Sequence, residues 1–173
     1  MKIYIRPITE QDGEKIVQWR NSEKVKNHCM TKSPITLESN LKFYRENVLT
    51  GKYKQFIVER IDEEFSLVTY AIATVYLKDI DYENKHCELC IFTSDDAEWY
   101  EESQCIAIKL LIDKAFNEYG MHKIYSYVFA KYDDEMQLLK NAGFTEETIL
   151  KEESLGDSGY FEDIVRFCLF NNK

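Results

Sequence analysis

Residues 67–77 read Leu-Val-Thr-Tyr-Ala-Ile-Ala-Thr-Val-Tyr-Leu, and this run limits the chain to few folds. It carries no charge, is rich in β-branched and aromatic side chains, and lacks the alternation of a strand with one wet face. It is far shorter than the roughly 20 residues that span a bilayer. A strand that is apolar on both sides belongs in the middle of a sheet covered on both faces. The remaining sequence must therefore supply flanking strands and two layers of helix.

It contains both. Ile3 and Ile5 alternate in a strand over 1–7, and Thr9 with Asp12 forms a capping-box variant opening a helix through Ile16, Val17, Trp19 and Arg20. After a polar loop, Thr36 caps a helix with Leu37, Leu41, Tyr44 and Val48 at helical spacing, stopped by Gly51. Gln55–Arg60 is a strand, joined to the central run by a turn through Asp62, Glu63 and Glu64. His86–Thr93 follows as a strand and 104–119 as a helix, with Ala107, Leu111 and Ala115 beside Ile108, Ile112 and Phe116 until Gly120. Ile124–Ala130 is a strand, and Asp133 or Asp134 caps a short helix through Met136, Leu138 and Leu139 that Gly143 ends. A last strand covers Asp163–Phe170. The order is an α/β pattern with helices on both faces, and neither a repeat nor a linker divides residues 1–173, so one domain is expected.

Charge narrows the partners. Acidic residues outnumber basic ones 31 to 22, the formal net charge is −9, and Lys and Arg nowhere form a run of five. Nucleic acid is excluded as a partner, and a cationic one, such as an amine or a basic chain end, is favoured. With no membrane-length apolar run and no signal-like start, a soluble cytoplasmic protein is expected. The five cysteines are scattered, and strand alternation puts Cys87 and Cys90 on opposite faces. His28, His86 and His122 lack ligand spacing, so no metal is expected.

Several segments together resemble one family. They are Ile5-Arg6-Pro7, Trp19-Arg20-Asn21, Tyr76-Leu77-Lys78-Asp79-Ile80-Asp81, His86-Cys87-Glu88-Leu89-Cys90-Ile91-Phe92, Lys109–Phe116, Lys123-Ile124 leading to Val128, Asn141-Ala142-Gly143-Phe144, and Gly159-Tyr160 before Asp163. The chain resembles the GNAT superfamily, in the branch of ribosomal-protein alanine and amino-sugar N-acetyltransferases, over nearly its whole length. The resemblance implies the GNAT acyl-CoA N-acyltransferase fold, α/β (α+β) with a mixed central sheet. It also implies acetyl-CoA as co-substrate and a small-molecule amine or peptide N-terminus as acceptor.

In that family the strands holding Glu88 and Val128 splay apart, and the pantetheine arm of acetyl-CoA lies between them. The resemblance therefore assigns cofactor contacts to Ile91, Phe92, Thr93, Tyr132, Met136 and Leu139. It puts the pyrophosphate loop on Trp99, Tyr100, Glu101, Glu102, Ser103 and Gln104, with Cys105 just beyond. This loop departs from the family's [Arg/Gln]-x-x-Gly-x-[Gly/Ala], because no glycine lies between Gly51 and Gly120 and two glutamates stand where a doubly anionic group would dock. They oppose the anion, or favour the helix start while pointing to solvent.

Glu88 matches a family position associated with deprotonating the amine, or else pairs with a neighbouring lysine. A backbone N–H near Phe92 would polarise the thioester carbonyl. The family's proton-donating tyrosine is replaced by Leu139, which leaves Tyr132, Tyr125 or Tyr127 as donors. Trp19, Arg20 and Tyr160 fall on the acceptor side, where Trp19 is substrate contact or core. Two functions follow: an N-acetyltransferase, or a module that keeps the fold and binds acetyl-CoA weakly or not at all. The aromatic-rich strands 125–129 and 160–170 offer surfaces for a homodimer.

Overall fold

In the computed structural model, which describes residues 2–62, 64, 65 and 68–172, the uncharged run enters a strand over Thr69–Asp81, third of seven in one sheet. Leu67, where that strand was expected to begin, and Glu63 of the preceding turn lie outside the described residues. In chain order the elements are β1 (Ile3–Pro7), α1 (Gly13–Asn21), α2 (Glu23–His28) and α3 (Leu37–Phe43), which runs on as a π-helical turn over Tyr44–Val48. Then come β2 (Lys54–Ile61), β3 (Thr69–Asp81), β4 (His86–Cys90), and α4 (Glu101–Asp113) with its own π-helical continuation over Lys114–Glu118. The chain closes with β5 (Lys123–Phe129), α5 (Asp133–Asn141), β6 (Thr145–Leu155) and β7 (Phe161–Phe170).

The sheet order is β1-β2-β3-β4-β5-β7-β6; β4 and β5 pair in parallel and every other pair is antiparallel. The sheet is mixed and covered on both faces, as expected. Alternation along β2 shows the two layers. Phe56 and Val58 join the larger core with Ala107, Ile108 and Leu111 of α4 and Leu138 and Leu139 of α5. Ile57 points the other way, into a smaller cluster with Ile8, Ile16 and Trp19. Each such fully buried aliphatic side chain contributes about 1.5–3 kcal/mol.

Five local expectations are corrected. Glu23–His28 is a helix, where a polar loop was expected: Ser22 Oγ accepts from Val25 N–H at 3.4 Å, but six residues with only Val25 buried show no periodicity. β6 was not foreseen, because an edge strand exposed along most of its length has no apolar alternation and is held by β7 alone. β4 ends at Cys90 and not at Thr93. α4 starts at Glu101, three residues earlier than its apolar pattern. α5 is preceded by Tyr132 as its N-cap residue, and Asp133 and Asp134 lie within its first turn, where they face the positive end of the helix dipole.

The glycine-free middle of the chain places ordinary residues in left-handed backbone, Asp79 at φ 48° and Lys85 at φ 56°. Lys85 holds that conformation where its carbonyl accepts from His122 N–H at 2.7 Å and Lys123 N–H at 3.1 Å, tying the start of β4 to that of β5. At the opposite edge, Arg6 donates from Nε to Glu59 Oε1 at 2.9 Å, and from its two Nη atoms to Asp12 at 2.9 and 2.7 Å. This network fixes the start of α1 on β1 and β2.

Candidate active site

The ladder between β4 and β5 has three pairs, His86↔Lys123, Cys87↔Ile124 and Glu88↔Tyr125, and then stops. On the other side, β4 leaves β3 after Tyr76↔Cys90, so Ile91, Phe92 and Thr93 have no register partner on either strand. Side chains replace the missing ladder. Ser126 Oγ donates to the Leu89 carbonyl at 2.9 Å across the fork, while Thr93 and Ser94 donate hydroxyls to the carbonyls of Thr74 and Ile72 on β3. The chain beyond Cys90 is thereby held apart from β5.

Three cavities meet at Phe92. One, of about 470 Å³, lies against the starts of α4 and α5 and is lined by Trp99, Tyr100, Glu101, Gln104, Asp134 and Glu135, among others. The fork itself holds about 150 Å³ beside Glu88, Cys90, Ile91, Thr93 and Ser126. On the face of α1 and α3 a cavity of about 420 Å³ is lined by Phe43, Tyr53, Gln55, Thr74, Tyr76 and Arg20, among others. They share Phe92 as a lining residue, and the two larger ones are of the size of ordinary small-molecule sites.

Cross-strand register decides the chemistry inside the fork. Lys78 opposes Glu88 and Tyr76 opposes Cys90. Glu88 is 6% exposed; it accepts from Lys78 Nζ at 3.1 Å and from the Cys90 thiol at 3.2 Å. The pairing of Glu88 with a lysine is thus real, and it occurs inside the crevice. Burial lowers the pKa of Lys78, but Cys90 and Glu88 outweigh that and hold the ammonium above its ordinary range. Burial and Glu88 push the Cys90 thiol well up, and Cys90 together with burial does the same to Tyr76. The thiol is therefore protonated at neutral pH and a poor nucleophile. Tyr125 is pushed up to about 12, chiefly by burial.

The groove against α4 has an unusual charge. Its carboxylates are Glu101, Asp134 and Glu135, and Lys24 faces them from α2. Glu102 is exposed and does not line it, whereas Glu101 does. Trp99 is 2% exposed and packs into the main core. Ser103 is fully buried; its Oγ accepts from Tyr100 N–H at 2.9 Å, using the amide before the helix. The N–H groups of the first helical turn have no intrahelical acceptor and face this end of the groove.

Other expected site residues sit elsewhere. Trp19 is core, 2% exposed with Ile8, Ile16 and Ile57, and lines none of these cavities, because its position in α1 faces β2. Tyr160, assigned to the acceptor side, is 77% exposed at the turn between β6 and β7 and is not among the lining residues of these cavities. Leu139 is fully buried in the main core, and Met136 and Cys105 pack against that core. The Tyr132 hydroxyl donates to the Asn27 carbonyl at 3.4 Å, and its ring stacks on His28 with centroids 4.0 Å apart, so it serves as a support under His28.

His28 was not singled out from the sequence. It lines both the α4 groove and the fork, and it contacts Glu135, whose carboxyl burial pushes up while His28 draws it part-way back. Only recognition of the six-residue α2, through its Ser22 cap, would have placed His28 here. Arg20 donates to the Thr31 carbonyl, and Asn21 pins the same loop by exchanging two 2.8 Å hydrogen bonds with Ile35. The Trp19-Arg20-Asn21 motif thus contributes one core residue, one cavity residue and one loop anchor. Among the described residues, no cluster of His, Cys, Asp or Glu is arranged to hold a metal, and no helix is long and apolar enough to cross a membrane.

Comparisons agree with the fold. Solved structures with the same fold include a spermidine N-acetyltransferase from Vibrio cholerae in complex with CoA and spermine, 21% identical, with a TM-score of 0.86 over 99% of this chain and 96% of that one. A SpeG chimera from Vibrio cholerae and hSSAT is 20% identical, with a TM-score of 0.84 over 98% of this chain and 96% of that one. At such identities the likeness is one of fold. No curated protein sequence matches. Residues 5–164 match the sequence profile of the acetyltransferase (GNAT) domain, and the chain therefore belongs to the GNAT acetyltransferase family.

Proposed function

We propose that the chain transfers an acetyl group from acetyl-CoA to a primary amine, of a small molecule such as an amino sugar or of a peptide N-terminus, by direct attack in the fork. The observation that carries this reading is the end of β4–β5 pairing at Glu88↔Tyr125, which leaves a slot between a groove on one face and a cavity on the other. The thioester arm would enter along Ile91, Phe92 and Thr93, whose strand edges are free to bond its amides, and the amine would approach from the α1–α3 side. The similar Vibrio cholerae protein, with CoA and spermine bound, supports the assignment of donor and amine acceptor.

Glu88 takes the ammonium proton directly or through water, the neutral amine nitrogen bonds to the carbonyl carbon, and the carbon–sulfur bond breaks as the second nitrogen proton passes to solvent water. A backbone N–H near Phe92 stabilises the developing oxyanion. His28, steadied by Glu135 and by Tyr132 beneath it, is placed to protonate the departing thiolate, the task expected of Tyr132. Cys90, held protonated beside Glu88, is not an acyl carrier in this scheme.

A second reading, a module that binds acetyl-CoA weakly or not at all, is favoured by one observation: Glu101, Asp134 and Glu135 line the groove where a pyrophosphate would lie. Calorimetric titration with acetyl-CoA at low salt, with thiol release measured on a panel of amines, separates the two. Binding at about micromolar levels with amine-dependent thiol release is expected. Absence of both below millimolar concentration overturns the enzyme reading.

A further inference from the structure

The cavity on the acceptor side has the wrong charge for a polycation. None of its lining residues is Asp or Glu, while Arg20 and Lys78 both face it. In the adjoining fork Glu88 is the only carboxylate among the described residues, and Lys78 already pairs with it. That leaves Arg20. Among the described residues it has no carboxylate within ion-pair distance, its Nη2 donates to the Thr31 carbonyl, and its buried Nη1 has no hydrogen-bond partner. A buried, unpaired N–H of a guanidinium is costly to keep unless something fills it. The local excess of positive charge arises in a chain whose net charge is −9, so it is not a by-product of composition.

We propose that the acceptor is a primary amine that also carries an anionic group, carboxylate or phosphate, seated on Arg20 while its amine faces Glu88. This deepens the acetyltransferase reading and rests on it. Guanidinium and planar or tetrahedral oxyanions match in geometry, and charge-assisted hydrogen bonds of this kind are the strong ones. Arg20 and Glu88 line the same fork cavity of about 150 Å³, so amine and anion are separated by a few bonds, as in an amino acid or an aminoalkyl phosphate. Arg20 and Lys78 also lower the affinity of the bound ammonium for its proton, which favours the neutral nucleophile that the transfer needs. A polyamine would set several ammonium groups against both cations, and it is rejected for the same reason.

The test compares matched amines on the intact protein: L-alanine against L-alaninamide, 2-aminoethyl phosphate against ethanolamine, and spermidine. Thiol release from acetyl-CoA gives kcat/KM, and calorimetry without acetyl-CoA gives binding of each amine. At least one anionic member is expected to exceed its neutral partner by about tenfold or more in both measurements, with the two pairs distinguishing carboxylate from phosphate. Arg20→Gln is expected to bring that ratio near one, and Arg20→Lys to keep it above one, with melting temperature reporting that each variant folds. Preference for spermidine or for both neutral members, or a ratio unchanged by Arg20→Gln, overturns the proposal. If anionic amines bind through Arg20 but no thiol is released with any amine, the acetyltransferase reading falls and this site stands. If neutral or cationic amines alone are acetylated, that reading stands and this one falls.

Discussion

Replacing Arg6 by alanine should destabilise the protein by about 3 kcal/mol. The side chain makes four hydrogen bonds, at 2.9 Å to Glu59, at 2.9 and 2.7 Å to Asp12, and at 3.3 Å to the Pro7 carbonyl. The Glu59 side chain is 7% exposed and that of Asp12 11%, so the variant leaves two poorly hydrated carboxylates without their cation. Breaking a buried pair costs about 3–5 kcal/mol, and an exposed one about 0–1 kcal/mol. The Arg6 side chain is 34% exposed, which sets the figure at the lower end of the buried range. For a chain of this size, that is a fall of about 6–12 °C in melting temperature. Acid supplies a second signature. The Arg6 and Thr9 bonds hold Asp12 below its ordinary value of 3.8, against the opposing effect of burial. A depressed carboxylate contributes stability above its unfolded value and loses it as pH falls through the folded one. The gap between wild type and variant should therefore be steady from about pH 5 to 8 and close below about pH 4. Circular dichroism melts across that range provide the measurement, with Arg6→Met/Glu59→Met expected to recover only the part of the loss due to Glu59, since Asp12 stays unpaired. A shift within about 2 °C, or a gap that persists undiminished in acid, would refute the reasoning.

Three further outcomes bear on the site. Glu88→Gln should lower kcat by about a hundredfold while acetyl-CoA affinity stays within about threefold, and unchanged turnover across pH would reject Glu88 as the base. Glu101→Lys should tighten acetyl-CoA binding by about tenfold in low-salt calorimetry, fading at high salt; a constant affinity would remove the repulsion argument. Cys90→Ala should retain turnover within about fivefold because its thiol is held protonated, whereas loss of about a hundredfold or more would indicate an acyl-cysteine intermediate.

How much of this was legible beforehand depends on which residues carried period. Strongly patterned segments were placed well: the strand run Gln55–Arg60 in β2, the uncharged run in β3, and the paired Ala/Leu and Ile/Phe stripes of α4 all carry apolar side chains that must leave water. Elements without such a side were not. β6 is exposed along most of its length and exists because β7 offers it a ladder, while α2 buries Val25 alone. His28 rode on α2 and so was weighed only as a metal ligand and given no site role, although it lines both the groove and the fork.

The sequence by itself determined a sheet covered on both faces, the position of Glu88 on a strand, and the loss of glycine from the segment before α4. Those follow from local burial pattern and from backbone freedom, both written residue by residue. Only the tertiary structure decided that Lys78 and Cys90 share Glu88, that Trp19 is core while its neighbour Arg20 faces a cavity, and that Glu101, not Glu102, enters the groove. Each depends on register across strands or on the rotation of a helix about its axis, and a shift of one residue in either reverses the answer.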